Sequence, residues 1–144
     1  MLTIRKETHR LLDTVERHTG HSLRLRERIL TLMELAVSHH QERLLDDLIF
    51  LAKFLWNSHN LMQRIGPDAE GYPKLAGEFR DSVEKFSTLV KTLVKEGPDE
   101  VKGSFAKDFF LMSPEALDNL MQLAHDLSWL KNYAIDTKRS LFET

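Results

Sequence analysis

The sequence predicts an all-α protein: an antiparallel, up-and-down bundle of four long helices, five if the N-terminal region breaks near Gly20 or Ser38. Apolar side chains recur every three or four residues along most of the chain, the rhythm of helices that each bury one stripe. No stretch alternates apolar and polar residues as a half-buried strand would. Glycine and proline stand where helices have to stop and start.

The N-terminal part carries Ile4, Leu11 and Val15, then Leu25, Ile29, Leu32 and Ala36. The phase runs through His18-Thr19-Gly20-His21-Ser22 without a slip. Either Ser22 caps a second helix, or one long helix crosses a tolerated glycine. Ser38 and Gln41 have the spacing of a capping box. From 44 to 65 the stripe is Leu45, Leu48, Ala52, Leu55, His59 and Met62, and Gly66-Pro67-Asp68 ends it. Pro73 opens the next helix, with Phe79, Val83, Phe86, Val90 and Leu93, and Gly97-Pro98-Asp99 stops it. The flanks of the two Gly-Pro-Asp turns do not match, so they are repeated stop chemistry and not an internal repeat. Residues 99–112 hold Val101, Phe105, Phe109 and Phe110, too apolar for a free linker, and are expected to form a short amphipathic connector lying on the bundle. Ser113-Pro114-Glu115 starts the last helix, whose stripe is Ala116, Leu120, Leu123, Leu127, Leu130, Ala134 and Leu141.

A chain of 144 residues with 42% apolar and 29% charged side chains suits one folded domain, here 1–144, with a core that needs no metal or disulfide to hold it. There is no cysteine, which excludes thiolate chemistry. Met1-Leu2-Thr3-Ile4-Arg5-Lys6-Glu7 lacks the apolar run of a secretory leader, and Leu48 to Trp56 is interrupted by Lys53 and too short to span a bilayer. The expectation is a cytoplasmic protein that does not engage a membrane. Net charge is −2, and the most basic run, Arg24, Arg26 and Arg28, is sparser than a nucleic-acid stripe. A solvated helix face is its simpler reading, with nucleic-acid contact the weaker alternative.

Seven histidines raise the question of a metal site. Di-metal bundles use paired Glu-x-x-His motifs, and this chain has no Glu-x-x-His, no His-x-x-x-His and no His-Glu-x-x-His. His9 with Asp13 and the adjacent His39-His40 are the nearest approaches. Glu78, Asp81 and Glu84 have the i,i+3 spacing of magnesium-holding pairs, but at about 100° per residue they face away from the Phe79/Val83/Phe86 stripe. No metal or other cofactor is expected. No phosphate-cradling glycine loop or nucleophile elbow occurs either.

Three features stand out. His59 sits in the middle of an apolar stripe, where its ring needs partners, and Asn60 and Gln63 are the nearest in sequence. It reads as a buried register-fixing polar residue, with a pH-sensitive core position as the sharper alternative. His125, Trp129 and Tyr133 recur every four residues away from the Ala116/Leu120/Leu127 stripe, ringed by Gln122, Asp126 and Asn132. Such amphipathic aromatics form either an interface or a patch covered within the chain by the N-terminal helix or the connector. Phe50, Phe54 and Leu61 lie opposite Leu48 and Leu55, with Trp56 on the flank, so this helix is apolar nearly all round.

More apolar helix surface is therefore present than a four-helix monomer hides. The expected role is non-enzymatic contact with a protein partner, most simply a second copy of the chain, anchored by Trp129, Tyr133, His125, Phe50 and Phe54. One local run adds an alternative. Ala124-His125-Asp126-Leu127 resembles the Ala-His-x-Leu core of histidine phosphotransfer domains, also helical bundles. That resemblance implies a phosphoryl-accepting role for His125. Those domains continue with lysine and glycine, where this chain has Ser128 and Trp129.

Overall fold

The structure, a computed structural model, describes Arg10, Leu12, Asp13, Glu16 and Arg17 and then residues 24–111 and 113–137. The side chains of Val37 and 132–137 lie outside the described set, as do Gly20, Ser22, His9 and Leu141. From Arg26 onward the described residues form five α-helices: α1 (Arg26–Ser38), α2 (Glu42–Ile65), α3 (Tyr72–Lys95), α4 (Asp99–Phe105) and α5 (Pro114–Thr137), and Arg10, Leu12, Asp13, Glu16 and Arg17 before them are helical as well. A π-helical turn, Ala106–Phe110, continues α4. Among the described residues there is no strand. The all-α bundle is as the periodicity predicts.

The middle position belongs to α2, which packs along α3 on one side and α5 on the other, while α1 lies across all three. The π turn leans on α5, and α4 on α3. Each helix buries its predicted stripe: Ile29, Leu32 and Ala36 of α1, Leu45, Leu48, Ala52 and Leu55 of α2, Phe86, Val90 and Leu93 of α3, and Leu120, Leu123, Leu127 and Leu130 of α5. Leu12, whose backbone is helical, joins the same core. Each large apolar side chain so buried contributes about 1.5–3 kcal/mol, and these residues form one continuous cluster. The connector is helical, with Phe105 and Phe109 buried and their rings 5.1 Å apart.

The expected break at Gly20 lies outside the described residues, but an interruption falls just after it. Arg24 and Leu25 form a turn, so no single helix runs from Arg10 to Ser38. The second break does fall at Ser38, but not by the expected chemistry. Ser38 ends α1, and the residue before α2 is Gln41, whose side chain makes no capping bond. The stop is a backbone motif instead. The Gln41 N–H bonds the Ala36 carbonyl at 2.6 Å, and His40 between them takes φ 55°. A left-handed conformation costs a non-glycine residue on the order of 1–2 kcal/mol. His40→Gly is therefore expected to raise the unfolding free energy by about 0.5–1 kcal/mol in urea titration, once the entropy of glycine is set against the relief. No gain would mean that the exposed imidazole itself stabilises the turn.

The other boundaries follow local chemistry. Gly66, at φ 79°, turns the chain out of α2 and bonds the Met62 carbonyl through its N–H. Pro73 lies in the first turn of α3, and the Ser113 hydroxyl accepts the Ala116 N–H at 3.1 Å to cap α5. Gly97 has a different reason to be glycine. A Cβ there would come 3.1 Å from the Leu35 side chain, so its bareness lets the α3 exit press against α1.

Candidate functional site

Two features of the bundle lie off the plain core. The first is a line of half-buried rings that crosses three helices. Phe79 of α3, His59 and Trp56 of α2, and His125 and Trp129 of α5 follow one another at centroid separations of 5.9, 6.4, 4.2 and 6.1 Å. Among the described residues, cover for His125 thus comes from Trp56 on the central helix. His59 lies within this line, yet neither Asn60 nor Gln63 satisfies it. Its Nδ1 is buried and has no hydrogen-bond partner among the described residues. The expectation of a satisfied histidine is corrected on that point: Asn60 lies about 100° round the helix, and Gln63, one turn on and on the same side, makes no bond to this nitrogen.

Beside the rings lies a polar knot. Asp126 is 1% exposed, and its Oδ2 accepts the Leu25 N–H at 3.3 Å, from the turn ahead of α1. Oδ1 accepts from Gln122 Nε2 at 2.9 Å and lies 3.3 Å from His125 Nδ1. On the far side of the imidazole, the Trp129 indole N–H donates to Nε2 at 2.7 Å. An indole only donates, so Nε2 holds a lone pair and the ring proton sits on Nδ1, directed at Asp126. The 3.4 Å approach of Gln122 Nε2 to Nδ1 is then two donors converging on one carboxyl oxygen. Both ring nitrogens are occupied, and this geometry offers an incoming phosphoryl group no open nitrogen unless Trp129 turns away.

The second feature is the outer face of α2. Phe50 is 66% exposed, and Phe54, Leu61 and Ile65 are exposed on the same line. At about 100° per residue these four fall within about 60° of one another, a stripe about 22 Å long. Lys131 of α5 reaches over the Phe50 ring, its Nζ 4.8 Å from the centroid. Asp46 opens the stripe. Burial pushes its carboxyl above the ordinary value, the neighbouring Asp47 charge adds to this, Lys131 opposes it and Glu42 adds again.

The predicted residues thus divide into two groups. His59 and His125 come together through Trp56 and Trp129 joins them through His125, whereas Phe50 and Phe54 face outward from α2. The Tyr133 side chain is outside the described set. Asp126 and Gln122 matter more than a place around the aromatics suggested, and no local pattern marks the Leu25 amide as their partner.

The basic run is drawn into the fold. Arg26 pairs with Asp13 at 2.7 Å and Glu16 at 3.0 Å, and Arg28 pairs with Asp108 at 2.6 Å. Burial works against the Arg26 charge, but the bonds and charges of Asp13 and Glu16 outweigh it and hold the guanidinium above its ordinary value. Arg28 also lies 5.2 Å over the Phe105 ring. Glu78, Asp81 and Glu84 are exposed as expected, and no group of metal-ligating side chains occurs among the described residues. None of the described helices is long and apolar enough to cross a membrane.

No protein-family model matches the chain, and neither curated proteins nor solved structures show significant similarity to it.

Proposed function

We propose that this chain is a non-enzymatic, cytoplasmic helical-bundle protein that works by protein–protein contact and associates with a second copy of itself. The observation that carries the reading is the outer face of α2, where Phe50, Phe54, Leu61 and Ile65 stand exposed in line. Single exposed apolar residues are ordinary, but four in register on the central helix, two on each side of Asn57, form a line of the kind that marks an interface. Two-fold pairing is the commonest way for one sequence to cover such a patch. Light scattering at tens of micromolar is expected to give twice the chain mass. A monomer at that concentration would remove the self-association.

A second reading keeps His125 as a phosphoryl acceptor. It is favoured by one observation: the Asp126 carboxyl takes the Nδ1 side of the ring and leaves the nucleophilic lone pair on Nε2. Trp129 has to release that nitrogen first. On this reading a small-molecule phosphodonor gives acid-labile phosphohistidine in the wild type, none in His125→Ala, and more in Trp129→Phe. Absence of label from both wild type and Trp129→Phe defeats it.

A further inference from the structure

Asp46 and Arg64 stand near the two ends of the exposed stripe of α2, Asp46 before Phe50 and Arg64 between Leu61 and Ile65. Both are exposed. Eighteen residues separate them, which on an α-helix is about five whole turns, so they lie on the same flank of the stripe. Lys131, whose charge acts on Asp46, marks that flank as the one facing α5. The opposite charges at the two ends, on one side of an apolar strip with Lys53 midway between them, make these end positions complementary to those of a second copy turned end for end.

We infer that two copies of this chain meet face to face through α2 in antiparallel register, with Asp46 of each opposite Arg64 of the other. This rests on the self-association reading above and specifies its geometry. The two-fold axis then passes near the level of Leu55, perpendicular to α2. Phe50 of one copy faces Leu61 of its partner, and the two Phe54 rings lie beside the axis. A two-fold operation that swaps the helix ends preserves flank, so residues on the α5 side remain together. Asp46 and Arg64 therefore meet twice per dimer, and the apolar stripe lies between the two pairs. A parallel two-fold would instead bring Asp46 level with Asp46 and Arg64 level with Arg64, on opposite flanks, so that neither charge meets its opposite. The raised Asp46 carboxyl fits this geometry. Partial burial and the Asp47 and Glu42 charges outweigh Lys131 in disfavouring its charge in the single chain, and a guanidinium brought alongside relieves that.

The test uses charge reversal in trans. Asp46→Lys alone and Arg64→Glu alone each place like charges opposite one another at both ends of the dimer, and each is expected to weaken self-association about tenfold in sedimentation equilibrium at low salt. An equimolar mixture of the two variants is expected to recover wild-type affinity. In the heterodimer the charge introduced by Asp46→Lys in one copy meets the charge introduced by Arg64→Glu in the other, while the native Arg64 of the first copy meets the native Asp46 of the second. A wild-type monomer overturns both the self-association and this register. A wild-type dimer in which the single variants associate normally, or their mixture stays weak, overturns the register alone. In that case Phe50→Glu still reports whether the face itself is used.

Discussion

Asp126→Ala is expected to lower the unfolding free energy by about 3 kcal/mol, among the larger effects open to a single substitution in this bundle. The carboxyl is all but inaccessible, and its two oxygens take up the Leu25 amide and the Gln122 side chain and face the His125 ring proton. Alanine leaves these donors facing a gap from which water is largely shut out. Each lost bond costs on the order of 1 kcal/mol, more where the acceptor is ionised, and the losses are coupled because one carboxyl serves all three. In a domain of this size the midpoint of thermal unfolding should fall by about 10 °C. Asp126→Asn retains one carbonyl oxygen and should lose about half as much. Tryptophan fluorescence adds a second readout, since the Trp129 indole is held by the imidazole that Asp126 orients. A change in stability under about 0.5 kcal/mol would show that the knot is dispensable to the fold.

The second large effect is on association. Phe50→Glu combined with Phe54→Glu should convert the self-associated protein to a monomer, weakening the contact by more than about 100-fold. Each dimer would then present four carboxylates where it buried four aromatic rings. The fold should survive, because Phe50 is 66% exposed and Phe54 also faces outward. Helical circular dichroism should stay at the wild-type level, and the urea midpoint should move little. A double variant that is fully folded and still of wild-type mass would rule out this face as the contact.

Much of this architecture was legible in the sequence wherever its cause is local. Gly66 and Pro67, Pro73, and Ser113 with Pro114 mark helix ends through their own backbone preferences, and the structure puts ends at each. The outward direction of Phe50 and Phe54 was equally legible, because helical periodicity alone sets them opposite Leu48 and Leu55. Where the cause is distant, the sequence was silent. Asp126 reads as a polar neighbour of Trp129, and its burial depends on the Leu25 turn, 101 residues earlier, arriving above it. The partnership of Trp56 with His125 joins two helices whose rotation about their axes no single-helix pattern states. Ser38 misled because its hydroxyl chemistry suits a helix start, whereas the stop there is made by backbone bonds and by His40 in a conformation its residue type seldom adopts. Gly97 was read as part of a stop, and its close approach to Leu35 becomes visible only once α1 is in place.

The central station of α2 also orders how the molecule comes apart. With α3 and α5 on either side of it, the ends of those outer helices can fray without exposing the middle of Leu45 to Leu55. That segment has no edge of its own to peel from, and uncovering it means detaching at least one whole neighbour. Loss of α2 would strip both neighbours of their main support at once, so its departure coincides with collapse of the whole cooperative unit.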